Sequence, residues 1–582
     1  MAAVTPQYLR RHCIEEFKER KDSLRNPSYL PQDAFRLVIK KNRIKATIRE
    51  NIPSSEAQEK NSLLEYALAN PHVFLTLASS RLAKKIKTLW EAQVKDCHLP
   101  VRLQYDEKTG RRQMVSVVNP ADEANLSPKA FVEVDNEEYH DEDNDEEDNE
   151  EDDNEEVDKD YHEKDKSKWE VTETESFVTE QWRFYAVIFD VRRFLYADLS
   201  DKRPLPFIEM STGPAGSGNF GKVFKVGLRR EHVVPNHTQF QYLRLVLEVA
   251  VKQLQRVNGA SDEELLNFFE KEANTLKTMR TLADPHLIQA IAVYERGSER
   301  CIVFPWAPNG NLRQLWLGDT NPFTQEARRW AWDQILGLTR GLARLHETNT
   351  RHGDLKPENI LRFKGSSGSA LGPLVIADVG IAKYHAFETE VRKNKNEATT
   401  NRTGTQRYTP PEIEVPEKDD NGKLRLISRK YDSWSLGCVL LEFITWLRRG
   451  RSGLAKLDTE RRRDTKPDVD RYWEQYGNDA PILHPGVSGF IRELLADPRL
   501  PAALRDLLAL VKKHLLVPSL KRRSYIATFL ESLEGVSENC STTPSYLWDD
   551  AVEALTESRE PTAEVARVDT FPISQQNTYV VS

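Results

Sequence analysis

The chain has 582 residues, 39% of them hydrophobic, with 83 Lys and Arg against 91 Asp and Glu for a formal charge of −8. That length suggests two to four domains at about 100–200 residues each. No run of about 18 uninterrupted apolar residues occurs and the N-terminus lacks an apolar leader core, while the five cysteines (Cys13, Cys97, Cys301, Cys438, Cys540) form no CxxC pair, so a membrane span, a zinc site and a disulfide framework are not expected.

Residues 1–125 carry helical periodicity, clearest where Leu63, Leu64, Ala67, Phe74, Leu75 and Leu77 recur at spacings of three and four. A small helical module of unknown role is predicted. Its basic residues, among them Lys40, Lys41, Arg43, Lys84 and Lys85, lack an accompanying aromatic array. They read as a solvated face, so nucleic acid is not an expected partner.

Residues 133–160 hold 19 Asp and Glu and one Lys, so removing this −18 from −8 leaves about +10 on the rest of the chain. With so little apolar content the stretch cannot repay the entropy of ordering, and 126–168 is predicted to be an acidic disordered linker. It suits a basic partner or a basic part of the same chain. The following stretch, 169–207, is rich in aromatic and β-branched residues and reads as strands or a packing extension.

Chemistry-bearing patterns begin at "GSGNFGKV", where Gly216, Gly218, Gly221 and Val223 stand in G-x-G-x-x-G-x-V spacing. Glycines there let backbone N–H groups approach phosphates with no Cβ in the way. The alternating "KVFKVGL" that follows predicts a second strand, not the helix that a dinucleotide-binding turn would open. Next, "EVAVK" ends on Lys252, and the helical stretch 267–279 places Glu272 where a carboxylate can reach that lysine.

In "RHGDLKPENIL", Asp354 can accept a hydroxyl proton, Lys356 can neutralise a phosphoryl group in flight, and Asn359 offers an oxygen to a metal ion. The apolar strand "LVIADVG" ends in Asp378, a carboxylate for Mg²⁺ bridging phosphates. One Asp and one Asn suffice for a hard cation that keeps water and substrate oxygens as its other ligands.

In their order and spacing these motifs, with "PPE" at 410–412 and "YDSWSLGCVLLEF" beyond, resemble the eukaryotic protein kinase catalytic domain over residues 208–534. The resemblance implies an α+β, bilobal protein-kinase-like fold with a strand-rich first lobe and a helical second lobe, preceded by the helical module and followed by a tail at 535–582. It implies an ATP- and Mg²⁺-dependent transfer of the γ-phosphate to Ser or Thr hydroxyls of protein substrates, in cytoplasm or nucleus. Lys252 would hold the α/β-phosphates and pair with Glu272, Asp354 would be the base, Lys356 its assistant, and Asn359 with Asp378 the metal ligands. Ala250 and Leu361 would sandwich adenine, Phe304 would be the gatekeeper, and Pro305, Trp306 and Ala307 the hinge. Lys356 and Thr405 match the serine/threonine pattern. Glu412 would pair with Arg522, and Asp432 would brace the catalytic loop.

Two departures stand out. Gly353 replaces the Arg that in many kinases receives an activating phosphate, a non-RD pattern that predicts activity without obligatory activation-loop phosphorylation. Val379 replaces the usual Phe but can still pack between His352 and Leu276. The basic stretch with Arg392, Lys393, Lys395, Arg402 and Arg407 is a candidate dock for the acidic linker. The contrasting reading is a pseudokinase scaffold that binds nucleotide or partners without phosphotransfer. A weaker resemblance, carried by Trp182, Phe184, Ala186, Phe189, Leu205, Pro206 and Phe207, is to uncharacterised filamentous-fungal kinases.

Overall fold

In the computed structural model the described residues are 29–30, 35, 38–52, 56–96, 99–106, 111–116, 133–134, 169–209, 216–218, 221–234, 246–254, 261–318, 320–365, 371–379, 406–416, 428–462 and 470–547. The chain divides into two units, one of residues 1–190, 199–209 and 227–247, the other of 191–198, 210–226 and 248–582. Among the described residues no helix is long and apolar enough to cross a membrane.

The first unit begins with helices α1 (Lys41–Asn51), α2 (Ala57–Ala69), α3 (Pro71–Ser79) and α4 (Ile86–Glu91). Their three- and four-spaced apolar residues, including Ile44, Leu63, Ala67, Val73, Phe74 and Leu77, form the buried core of this unit. The expectation of a purely helical module is corrected further along. Strands β1 (Val101–Asp106), β2 (Arg111–Ser116) and β3 (Glu133–Val134) make an antiparallel sheet, with Val101 opposite Ser116 and Arg112 opposite Val134. The alternation in "VRLQYD" and "RRQMVS" is short and charged, so a helix-period search passes over it, and β3 lies inside the acidic run.

Residues 169–207 do not behave as one extension of the strand-rich lobe. Trp169, just before α5 (Val171–Glu180), Phe177 on that helix and Phe184 in the turn after it bury their rings in the first unit's core. Gln181, fully buried, explains the placement: its amide donates to and accepts from the backbone of Val101, both at 2.7 Å, completing the β1 edge. Only 191–198 join the second unit.

The second unit opens with strands: β4 (Leu195–Leu199), β5 (Gly216–Gly218), β6 (Gly221–Arg229), β7 (Val246–Leu254), β8 (Ala292–Arg296) and β9 (Glu299–Pro305), in the order β4-β8-β9-β7-β6, with β5 folding back on β6. Between β7 and β8 runs α6 (Asp262–Leu282). Helical structure then dominates: α7 (Leu312–Leu317), α8 (Gln325–Glu347), α9 (Lys430–Arg461), α10 (Pro485–Ala496), α11 (Ala502–Leu510) and α12 (Ile526–Thr542), interrupted by the hairpin of β10 (Ile360–Arg362) with β11 (Leu374–Ile376) and that of β12 (Trp473–Glu474) with β13 (Ile482–Leu483). This is the α+β arrangement expected, strands first and helices second. One boundary moves: α12 continues past residue 534, and Leu547 is buried in the same core, so the tail begins later than 535.

Candidate active site

Strand pairing brings the first group of residues together. In the β7–β9 register Ala250 faces Phe304 and Lys252 faces Ile302. Val223, Ala250, Phe304, Ala307 and Leu361 are all buried in one apolar cluster, which suits the flat face of a heterocycle. Trp306 is partly buried against it, with Lys225 Nζ 5.0 Å from the ring centroid. The Trp306 amide is spent on the Glu248 carbonyl at 3.1 Å and the Ala307 carbonyl accepts from the Gly310 amide at 3.3 Å, so the Pro305 carbonyl and the Ala307 amide are the groups on offer to a ligand's polar edge. At the turn into β6 the backbone runs so close that a Cβ on Gly221 would lie 2.4 Å from the Gln253 carbonyl oxygen. Glycine is required there by contact, whatever the ligand.

The catalytic-loop sequence follows α8, whose N-cap Thr324 accepts from the Ala327 amide at 3.1 Å. Beyond the helix the loop is clamped by Asp432 from the first turn of α9. This fully buried carboxylate accepts the amides of His352 (2.8 Å) and Gly353 (2.7 Å) and contacts His346 Nε2 at 2.8 Å. Burial opposes its charge, but the hydrogen bonds and the neighbouring histidines prevail and hold its pKa below the usual value. His352, itself buried, places Nε2 2.8 Å from the Ala377 carbonyl, tying the loop to the segment that carries Asp378.

Within the loop the Asn359 amide donates to the Asp354 carbonyl at 2.8 Å and to its Oδ2 at 3.1 Å. Lys356 Nζ lies 2.9 Å from the same Oδ2. Burial disfavours the ammonium, yet the Asp354 carboxylate more than offsets this, so the Lys356 pKa is raised and the charge is kept. The carboxylate of Asp354 is therefore aimed by one amide and one cation.

Lys252 differs from expectation in its closest partner. Its Nζ sits 2.5 Å from Asp378 Oδ1, with Glu272, also buried, contributing as a second negative neighbour. Burial works against the ammonium, but Asp378, Glu272 and Asp354 together raise its pKa and hold it charged. The other oxygen, Asp378 Oδ2, is buried with no hydrogen-bond partner. An orphaned carboxylate oxygen in such a place costs on the order of 1–3 kcal/mol unless something cationic meets it. Among the described residues no group of three or more His, Cys, Asp or Glu could hold an ion. Asp378 with Asn359 thus fits a hard cation that takes its remaining ligands from phosphate and water.

Gly353 has φ +78°, a left-handed conformation in which the side chains of other L-residues are strained. Asp378, at φ +65°, bears that strain itself. We expect Gly353→Ala or Gly353→Arg to lower stability by about 1–2 kcal/mol, read as a shift of the urea midpoint. An unchanged midpoint would show that the loop does not need this conformation. Val379, buried in the core cluster that also holds Leu276, fills the position after Asp378.

One expected pair is corrected. Glu412 is held by Arg523, not Arg522: the guanidinium makes two bonds to the carboxylate, at 2.7 and 3.0 Å. Arg523 is buried and Arg522 exposed. In "LKRRSY" two adjacent arginines are equivalent to sequence inspection, and only the turn direction before α12 selects between them. Thr405 lies outside the described residues.

Sequence reasoning also passed over a buried polar network beside the loop. Glu442 accepts from Arg313 (2.9 Å), Tyr408 (3.0 Å) and Tyr472 (2.9 Å), and Arg313 also pairs with Glu358 at 3.0 Å. The available signal was a carboxylate inside the apolar stretch 436–447, which must be partnered if that helix is buried.

Residues 212–452 match the model of the family described as protein kinase domain. The chain is similar to a cysteine-rich receptor-like protein kinase of Arabidopsis thaliana, 31% identical over 39% of this chain and 29% of that protein. It is also similar to a serine/threonine-protein kinase of Eremothecium gossypii, 26% identical over 42% of this chain and 29% of that protein. A calcium/calmodulin-dependent protein kinase of Emericella nidulans is 28% identical over 53% of this chain and 72% of its own length. The chain thus spans about three tenths of the length of the first two.

Proposed function

We propose that this chain is an active serine/threonine protein kinase that uses ATP and Mg²⁺ and phosphorylates protein hydroxyls, a reading supported by the match of residues 212–452 to the protein kinase domain. The observation that carries the reading is the convergence of Lys252, Asp354, Lys356, Asn359 and Asp378, with Asp378 Oδ2 left unsatisfied. Bound Mg²⁺ would neutralise charge on the phosphates, held by Asp378 and Asn359. With nucleotide and metal bound, Lys252 would turn to the phosphates and keep Glu272 as a counter-charge. Asp354 accepts the proton of the acceptor hydroxyl, and Lys356 stays protonated beside it.

Lys356 and Thr405 support Ser and Thr as acceptors, and Gly353 supports activity that does not wait for a phosphorylated activation segment. The acidic run 133–160 is read as a ligand for a basic partner, the basic stretch 392–407 of this chain being one. We place the protein in cytoplasm or nucleus, and its lead-in sequence supports kinship with filamentous-fungal kinases.

The test is incubation of the purified chain with labelled ATP, Mg²⁺ and a basic protein substrate, followed by phosphoamino-acid analysis. Label on Ser and Thr is expected, and absence of transfer at every salt concentration would favour a scaffold. A phosphatase-treated sample should retain most of its turnover; near-complete loss would overturn the role given to Gly353. If a chain lacking 133–160 keeps the same activity and the same ionic-strength dependence, the acidic run has no such role.

A further inference from the structure

Far along the second unit the helix following α11 widens into a π turn at Val511–Leu515, whose exposed positions are Lys512 and Lys513. Turns of this kind are rare and frequent at functional places. His514 fastens it to the stretch before α12: the Ser524 amide donates to the His514 carbonyl at 3.0 Å, and His514 Nδ1 lies 2.9 Å from Ser524 Oγ. On that second stretch Lys521 and Arg522 face solvent while Arg523 turns inward to Glu412. Lys430 Nζ pins it from beneath, 3.1 Å from the Leu520 carbonyl, and covers the Tyr525 ring at 4.8 Å.

Four exposed cations thus lie on two segments tied together. None of them forms an ion pair among the described residues, whereas Arg340, Arg449 and Lys456 of the same unit are paired with Glu534 or Glu493. No Asp or Glu occurs between Asp506 and Glu531, and Asp506 is engaged by the Tyr546 hydroxyl. Concentrated positive charge that the fold leaves uncompensated costs self-repulsion and attracts anions.

We propose that Lys512, Lys513, Lys521 and Arg522 form a docking surface for an extended acidic segment of a partner protein. The cations are spread over two segments, which suits a chain of carboxylates. Among the described residues of 511–525 the exposed ring is Tyr525, already covered by Lys430, which leaves no array of rings there for stacking single-stranded nucleic acid. The exposed positions of 511–525 are Lys512, Lys513, Lys521, Arg522 and Tyr525, not an apolar belt of the kind that seats on a bilayer. The proposal does not depend on catalysis, since it is read by binding alone.

The test uses the full chain and a fluorescent peptide, DEDNDEEDNEEDDNEE, as the acidic probe. Anisotropy should show binding that weakens at least about tenfold between about 50 and about 300 mM salt. Lys512→Gln, Lys513→Gln, Lys521→Gln and Arg522→Gln combined should weaken it about tenfold or more, while the same loss of charge at Lys40, Lys41, Lys45 and Lys202 should not. The four-site variant should keep its melting temperature and its activity on a short substrate lacking acidic residues. Equal binding by both variants would overturn the proposal. So would carbodiimide coupling of Lys512 or Lys521 to this chain's own residues 133–160, or binding of duplex DNA or phosphatidylserine vesicles through these four residues without binding of the peptide.

Discussion

Asp354→Asn is expected to lower kcat by about 10²–10⁴-fold, the range that a positioned proton acceptor contributes, with little change in the affinity for a nucleotide analogue. The asymmetry follows from the geometry. Asp354 is held by Asn359 and Lys356 at the loop, whereas the proposed base-binding group is the buried apolar set of Ala250, Phe304 and Leu361. An Asn side chain keeps a carbonyl oxygen for those two donors but has no basic site for the hydroxyl proton. Lys252→Ala should act differently, raising KM for ATP as well as lowering kcat, because in the proposed mechanism its ammonium would hold the phosphates and not the acceptor. Steady-state kinetics on one peptide substrate separate the two patterns. A Asp354→Asn protein with near-normal kcat would remove the base from the mechanism, and equal KM effects in both variants would contradict the separation of roles.

The second large effect concerns stability. Arg523→Ala is expected to destabilise the second unit by about 3–5 kcal/mol, because it leaves the Glu412 carboxylate buried without its partner. Arg523 also donates to the carbonyls of Val517 (2.8 Å), Pro518 (3.0 Å) and Lys430 (3.0 Å) and lies 5.1 Å from the Trp434 ring centroid. Lysine cannot reproduce this planar fork, so Arg523→Lys should recover little. Arg522→Ala, one residue away, should stay within about 0.5 kcal/mol, as exposed substitutions usually do. Urea midpoints at constant slope measure all three. Equal losses at 522 and 523 would mean that the two side chains share the role.

The thiols fit this picture of a well-packed interior. Cys301 and Cys438 are buried and unbridged, and burial pushes the Cys301 thiol up to about 12, so neither is poised as a nucleophile.

How much was readable before folding depended on whether the function of a residue is local. The Asp, Lys and Asn of the loop act through one another within a few residues, and the order of the glycine spacing, the lysine at the end of β7 and this loop along the chain carried the resemblance that implied an α+β fold with strands preceding helices. The same holds for Asp432, whose place at the start of a long apolar helix is itself a sequence feature. Long-range choices were not legible. Which of two adjacent arginines turns inward, whether Lys252 meets Asp378 or Glu272 more closely, and how Glu442 finds Arg313, Tyr408 and Tyr472 all depend on contacts between residues 20 to 129 positions apart. The aromatic stretch after the acidic run illustrates this best: its composition demanded burial, but only the Gln181 pairing with Val101 decided in which unit. Burial is required by the amino acids themselves; the partner that completes it is set by the packing of the folded chain.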